Sequence, residues 1–224
     1  MIRIYGTDCD QVSTVLKAAS AKGMKIMAGV YDIDQAGSET QALIDAAKGD
    51  WSAVDTVSIG NEYVNNGGDP SAVVAAVKSA RSALQAAGFN GNVVTVDTFN
   101  QIIDHPELCE VSDFAAANCH AFFDSSISAD QAGSYVADQA KRVSQACGGK
   151  TTVITETGWP SNGQSNGNAV PSEANQKAAI SSLRAAFSDN IVLFSAYNDL
   201  WKSDFDGSFG AEHYWGIYGM APSA

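Results

Sequence analysis

Short runs of β-branched residues alternate along this chain with longer segments whose apolar residues recur at helical spacing. Helical spacing is clearest over residues 12–21, 70–87 and 131–146. A repeated strand–helix unit builds parallel strands joined by right-handed crossovers. The predicted class is therefore α/β of the (β/α)8 barrel type with seven parallel strands, near residues 2–5, 25–31, 55–60, 93–98, 114–121, 151–155 and 191–197.

Two of these runs are followed closely by a glutamate. Residues 57–62 have the sequence VSIGNE and end in Glu62, and residues 152–160, TVITETGWP, contain Glu156. A pair of carboxyl groups at strand ends is what a glycosidase requires, since one donates a proton to the leaving oxygen and the other attacks or activates water. The alternative is two unrelated acids at the surface. Asn61 and Trp159 favour a sugar site, because amides bind hydroxyls and flat rings cover sugar faces.

Composition narrows the possible partners and compartments. With 224 residues, 45% of them hydrophobic, the chain can build the core of one domain. A net charge of −12 argues against nucleic acid and anionic membranes, and suits a neutral polymer as well as a solvated acidic surface. We expect no membrane insertion, since no run of about 18 apolar residues occurs. No signal peptide and no N-glycosylation motif are recognisable.

The four cysteines are scattered and form no Cys-x-x-Cys pair, so neither a metal site nor another cofactor is predicted. One or two disulfides of a secreted protein are expected instead. Cys9, Cys109, Cys119 and Cys147 allow three complete pairings, among which the sequence does not choose. Cys119 lies in a strand pattern, and a buried thiol is the alternative there.

Several motifs together resemble glycoside hydrolase family 17, and its fungal cell-wall β-1,3-glucanase and glucanosyltransferase branch in particular. They cover nearly the whole chain in the order IYGTDC (4–9), SIGNE (58–62), NCHAFF (118–123), TETGWPS (155–161) and NDLWK (198–202). The resemblance implies a secreted or cell-wall enzyme that acts on β-1,3-glucan polysaccharide or oligosaccharide with retention of configuration. It also implies hydrolysis or transfer of glucosyl units to another sugar.

The same resemblance implies a role for each glutamate and a missing segment. Compared with the family, the chain lacks a first strand and helix, so Glu62 ends the fourth barrel strand and Glu156 the seventh. Those positions are expected to hold the acid/base and the nucleophile. Residues 1–224 are thus expected to be one catalytic domain, truncated at its N-terminus. Family members are usually monomeric, but open edges at residues 2–5 and 191–197 are expected to favour association.

Polar residues near the other strand ends are candidates to bind substrate. Asn61 is expected to hydrogen-bond a sugar 2-hydroxyl or to orient Glu156, with a cap of its own strand end as the alternative. The Tyr5 hydroxyl is expected to position the nucleophile, unless Tyr5 is a core residue. The further strand-end acids, each with loop capping as an equal alternative, are Asp8, Asp32 and Asp97.

Aromatic and basic residues complete the predicted site. Trp159 and Trp201 are expected to stack on sugar rings, although Trp159 could equally pack in the core below its turn. Phe123 is a candidate platform, and His120 is a candidate sugar ligand with a structural role as the alternative. Lys202 is expected to bind a hydroxyl or to pair with an acid of the site.

Two other functions are compatible with the sequence. The first is a non-catalytic glucan-binding or structural protein of the cell wall, which would retain the fold without turnover. The second is a different glycosidase of the same clan, which the fungal motifs oppose. Both glutamates are present, which favours the enzyme.

Overall fold

The computed structural model describes residues 1–222 and is built from alternating strands and helices. The strands are β1 (Ile2–Arg3), β2 (Ile26–Val30), β3 (Val54–Asn61), β4 (Asn92–Thr98), β5 (Ala115–Asn118), β6 (Thr152–Thr157) and β7 (Ile191–Leu193). The helices are α1 (Gln11–Ala21), α2 (Ala36–Ala47), α3 (Pro70–Ala86), α4 (Phe99–Asp104), α5 (Glu107–Glu110), α6 (Ala132–Ala146) and α7 (Glu173–Ala186).

The strands follow one another in the sheet in chain order, from β1 to β7. Pairing is parallel where β1 meets β2, where β2 meets β3, where β3 meets β4 and where β6 meets β7. Parallel neighbours joined through helices are the (β/α)-barrel arrangement. The predicted fold class with seven parallel strands is therefore confirmed.

The chain divides into two compact units. The first comprises Met1–Ala117 and Val143–Val153. All five residues of β2 are buried, as expected for a parallel strand covered on both faces. Its core includes a cluster of Met27, Val94, Val96 and Ala116, against which Phe114 packs. Helix α3 begins where Asp69 caps the backbone amide of Ser71 and Pro70 occupies the first turn.

The second unit comprises Asn118–Arg142 and the residues from Ile154 onward. Its core is aromatic. Phe122 is fully buried and contacts the rings of Trp159, Phe209 and Trp215 edge to face, with centroid distances of 5.5–5.9 Å. Edge-to-face contacts of this kind stabilise a core beyond the area they bury. Helix α7 begins at the Ser172 cap, as predicted.

Four strands are shorter than predicted, β2 by one residue at each end, and one predicted connection is helical. Strand β5 ends at Asn118 because the chain turns into a 3₁₀ segment, Ala121–Phe123. Strand β7 is short because the backbone after it pairs with a later segment of the chain. The Ser195 amide donates to the Trp215 carbonyl, and the Tyr218 amide donates to the Ala196 carbonyl. Strand β1 is assigned only two residues. The predicted connection after β4 contains α4, whose apolar residues are too few to reveal helical periodicity.

Two of the four cysteines form a disulfide, and the other two are free thiols. Cys109 and Cys147 form a disulfide that joins α5 to the end of α6, so the prediction of at least one disulfide is confirmed. Cys9 is an exposed free thiol, and Cys119 is a buried one. Burial raises the pKa of the Cys119 thiol to about 12. Within residues 1–222 no helix has the length and apolarity needed to cross a bilayer.

The two free thiols are expected to differ sharply in reactivity. Only thiolates react with disulfide reagents, and Cys119 is both buried and protonated at neutral pH. Titration of the folded protein with an aromatic disulfide reagent should therefore release one equivalent rapidly, and a second only in denaturant. Cys9→Ser should abolish the rapid phase, and rapid release of two equivalents from the folded chain would contradict the assignment.

Candidate active site

A bulge at the end of β3 presents Asn61 and Glu62. The register of β3 against β4 shifts between Ser58 and Asn61, and Gly60 has a φ of 81°. Glycine suits this left-handed conformation because it has no Cβ. Glu62 follows with a φ of 54°, and its amide donates to the Val96 carbonyl at 3.0 Å. The SIGNE motif thus encodes a turn that ends the strand at the predicted acid/base.

Arg3, which was not among the predicted site residues, orients Asn61. Its Nη2 donates to Asn61 Oδ1 at 2.7 Å, and its guanidinium carbon lies 4.4 Å from the centroid of the Tyr5 ring. This contact fixes which end of the Asn61 amide is the acceptor toward Arg3. Tyr5 is half-buried beside it. The structure thus brings together two predicted substrate-binding residues through an arginine that stands between apolar residues of the first strand.

Asp97 has a structural role different from the predicted contact with sugar hydroxyls. It is only 2% exposed. Its carboxylate accepts hydrogen bonds from the amides of Thr98, Val64 and Asn65 at 2.8, 2.9 and 3.3 Å. Burial raises the pKa of Asp97 above its usual value, against these hydrogen bonds, which lower it. The residue therefore caps the loop that follows Glu62, which was the alternative considered for it.

Asp8 and Asp32 also make local contacts. Asp8 is exposed and accepts from the side chain of Gln11 at 2.5 Å. Asp32 accepts from the Asp34 amide at 2.9 Å and thereby caps a 3₁₀ turn, Ile33–Gln35. The Asp32 contact matches the loop-capping alternative, whereas Asp8 binds the side chain of the first residue of α1.

In the second unit, Glu156 lies near the end of β6. The register of β6 against β7 shifts between Ile154 and Thr157, so this strand end is irregular too. Glu156 is 7% exposed, and its backbone carbonyl accepts from the Cys119 amide at 2.9 Å. Its Oε2 lies 3.3 Å from His120 Nε2. The structure thus joins the predicted nucleophile to a residue that was predicted to bind sugar.

Aromatic rings surround the His120 imidazole. Their centroids lie 4.8 Å away for Trp215, 5.4 Å for Phe194 and 6.1 Å for Phe123. Phe123 is 43% exposed, which fits the predicted platform. Trp215 and Phe194 were not predicted as site residues, because nothing local in their segments signals that they pack against the residue after β5.

The two tryptophans predicted to stack on sugar differ in exposure. Trp201 is 79% exposed, whereas Trp159 is fully buried and donates from Nε1 to the Val170 carbonyl at 3.1 Å. A buried ring offers no face to a sugar, so stacking by Trp159 is not supported in this structure. Trp159 packs in the core below its turn, as the alternative held.

Lys202 holds a loop together. Its ammonium lies 3.8 Å from carboxylate oxygens of both Asp199 and Glu212, and 4.7 Å from the centroid of the Phe194 ring. The backbone carbonyl of Lys202 is hydrogen-bonded to His213 Nε2. Lys202 thus pairs with acids, as one of its two predicted roles required, but these acids follow β7 and were not among the predicted site residues. Among residues 1–222 no group of three or more potential metal ligands is clustered.

Comparison with known proteins identifies relatives over almost the full chain. A family model described as the BtgE/BtgC glycoside hydrolase domain matches residues 1–216. The chain is 52% identical to the cell surface mannoprotein MP65 of Candida albicans and 48% identical to the probable family 17 glucosidase SCW10 of Saccharomyces cerevisiae. The matches cover 97% and 96% of this chain but 58% and 56% of those proteins. The chain thus spans a little over half of their length.

A solved structure is similar as well. The glycoside hydrolase family 17 β-1,3-glucanosyltransferase from Rhizomucor miehei superposes with a TM-score of 0.83. The superposition covers 97% of this chain and 80% of that one, at 25% sequence identity.

Proposed function

Because this chain belongs to the BtgE/BtgC glycoside hydrolase domain family, we propose that it is a retaining glycosidase acting on β-1,3-glucan. The observation that supports this most directly is the position of Glu62 and Glu156, each at an irregular carboxyl end of a parallel strand. Active sites of barrel enzymes are built at these strand ends. The substrate class rests on the glucanosyltransferase that this chain resembles.

In the proposed reaction Glu62 acts as the acid/base and Glu156 as the nucleophile. The Glu156 carboxylate attacks the anomeric carbon while Glu62 gives its proton to the departing glycosidic oxygen. A covalent glucosyl-enzyme forms with inverted configuration. Glu62, now ionised, then takes a proton from an incoming hydroxyl, and the second displacement restores the original configuration. This mechanism requires the two carboxyl groups to stand about 5–5.5 Å apart.

Binding of the sugar chain is proposed to involve residues around each glutamate. Asn61, held by Arg3, is proposed to bind the 2-hydroxyl of the sugar at the cleavage point. The exposed rings of Phe123 and Trp201 are proposed to stack on glucosyl units. Water as the second acceptor gives hydrolysis, and the hydroxyl of another glucan gives chain transfer.

The proposed place of action is outside the cell, at the fungal cell wall. The disulfide between Cys109 and Cys147 is typical of oxidising compartments. The curated relatives are named a cell surface mannoprotein and a family 17 glucosidase. Cleavage or transfer of β-1,3-glucan at the cell wall would remodel the glucan of the wall, and we propose this as the biological role.

A non-catalytic glucan-binding protein is the second candidate, because the name of the relative with 52% identity records a surface mannoprotein and no enzyme. Incubating this chain with laminari-oligosaccharides separates the two. Shorter products indicate hydrolysis, longer ones transfer, and an unchanged substrate with measurable binding indicates a binder. Proton NMR during the first minutes should reveal β-anomeric products, and α-anomers would refute retention.

Trp201→Ala is expected to weaken polymer binding more than folding. The ring is 79% exposed, so little core packing is lost. Loss of a stacking face worth about 0.5–1.5 kcal/mol should raise Kd for long laminari-oligosaccharides roughly 2- to 10-fold. Calorimetric titration measures this, with Tyr218→Ala as a control of similar exposure (71%). An unchanged Kd with a lowered melting temperature would assign Trp201 to folding instead.

A further inference from the structure

The imidazole of His120 lies almost entirely inside the second unit, with one nitrogen toward a carboxylate and the other toward no hydrogen-bonding group. Nε2 is 3.3 Å from Glu156 Oε2. Nδ1 is buried and has no hydrogen-bond partner among the described residues 1–222. The side chains of His120 and Glu156 are only 12% and 9% exposed, so water has little access to the contact between Nε2 and Oε2.

These two nitrogens restrict the protonation state of the ring. An ionised carboxylate only accepts hydrogen bonds, so Nε2 must carry the hydrogen that lies between it and Oε2. A second proton would sit on Nδ1 as a buried donor without an acceptor, which is costly. The neutral ring with hydrogen on Nε2 leaves only a lone pair unmet at Nδ1, whereas the imidazolium would leave the donor of a charged group unmet there, which costs more.

The aromatic neighbours fix the direction of that donor. Phe123, Phe194 and Trp215 meet the imidazole at interplanar angles of 82°, 79° and 68°. Rings packed edge to face on several sides leave the imidazole little freedom to rotate about its χ2 angle. The hydrogen on Nε2 therefore points steadily at Oε2.

We propose that His120 is a positioning residue for Glu156, acting as a neutral donor from Nε2 that holds the carboxylate in its attacking orientation. This inference rests on the proposed function of Glu156 as the nucleophile. It replaces the predicted contact between His120 and sugar. A neutral donor orients the carboxylate without adding a full charge beside it, and so leaves its negative charge available for attack on the anomeric carbon.

Three substitutions separate this role from packing. His120→Gln places an amide nitrogen near the position of Nε2, His120→Asn places one near Nδ1, and His120→Phe keeps a ring without any donor. Loss of a hydrogen bond to a charged group should lower kcat of the Phe and Asn variants about 10- to 100-fold with KM little changed. The Gln variant should recover most of this loss. Equal kcat for wild type and the Phe variant, or equal losses in the Gln and Asn variants, would overturn the proposal.

The tautomer is measured without any turnover. Long-range ¹H–¹⁵N NMR of the ¹⁵N-histidine-labelled chain at neutral pH should reveal a neutral His120 ring protonated at Nε2. Its signals are assigned as those that persist in both His105→Gln and His213→Gln, since the chain has three histidines. A ring protonated at Nδ1 or at both nitrogens would overturn the proposal, even if the His120 variants fail to fold. If wild type cleaves no glucan, the proposed function fails, whereas the spectrum still decides the contact between His120 and Glu156.

Discussion

Glu156→Gln is expected to lower kcat on β-1,3-glucan by at least about 10³-fold, because an amide is a poor nucleophile and the covalent intermediate no longer forms. The fold should persist, since glutamine has nearly the same shape. Turnover of laminari-oligosaccharides measures the loss, and a thermal melt checks folding. Glu110→Gln, which neutralises an exposed glutamate of α5, is the matched control and should retain wild-type activity.

Azide distinguishes the roles of the two glutamates. With an aryl β-glucoside as substrate, Glu156→Gly leaves room for azide to attack in one displacement and give the α-glucosyl azide. In Glu62→Ala the covalent intermediate still forms, so azide attacks second and gives the β-glucosyl azide. The opposite pattern would exchange the two roles, and near-full turnover by either variant without azide would remove that residue from the mechanism.

Removing the disulfide between Cys109 and Cys147 is expected to lower the free energy of unfolding by about 4 kcal/mol. The bridge closes a loop of 38 residues, and in the chain-entropy model this gain comes from restricting the unfolded chain. For a protein of this size the melting temperature should fall by roughly 8–15 °C.

The double variant Cys109→Ser, Cys147→Ser tests this in denaturant and thermal melts. Cys9→Ser is the control, since Cys9 is an exposed free thiol and its substitution should leave the melt unchanged. An equal melting temperature of the double variant and wild type would contradict a stabilising bridge.

The elements of the fold were predictable where the signal is local. A β-branched run such as residues 152–155 favours a strand, and Pro70 after Asp69 favours a helix start, without reference to distant residues. The same holds for the strand-end positions of Glu62 and Glu156. Glu62 directly follows β3, and Glu156 is the penultimate residue of β6, so both positions could be read from the order of the residues.

Contacts between distant residues were not predictable. Trp159 is buried because Phe122 and the Val170 carbonyl meet it, and no pattern near residue 159 announces either contact. Arg3 lies beside Asn61 because β1 and β3 belong to one sheet, although 58 positions separate them in the chain. A polar residue at a strand end is therefore a candidate sugar ligand. Residues distant in the sequence decide whether it binds sugar or caps a loop, as Asp97 does.

The backbone of Glu62 has an evolutionary consequence. A φ of 54° is unfavourable for any residue with a Cβ, by about 1–2 kcal/mol, and Asp97 maintains the loop around it. Glycine would relieve this strain because it has no Cβ, and asparagine would reduce it because its short polar side chain tolerates this conformation. A population selected only for heat resistance would therefore tend to lose glutamate at position 62, so a stabilised design must fix that position in order to retain the proposed acid/base.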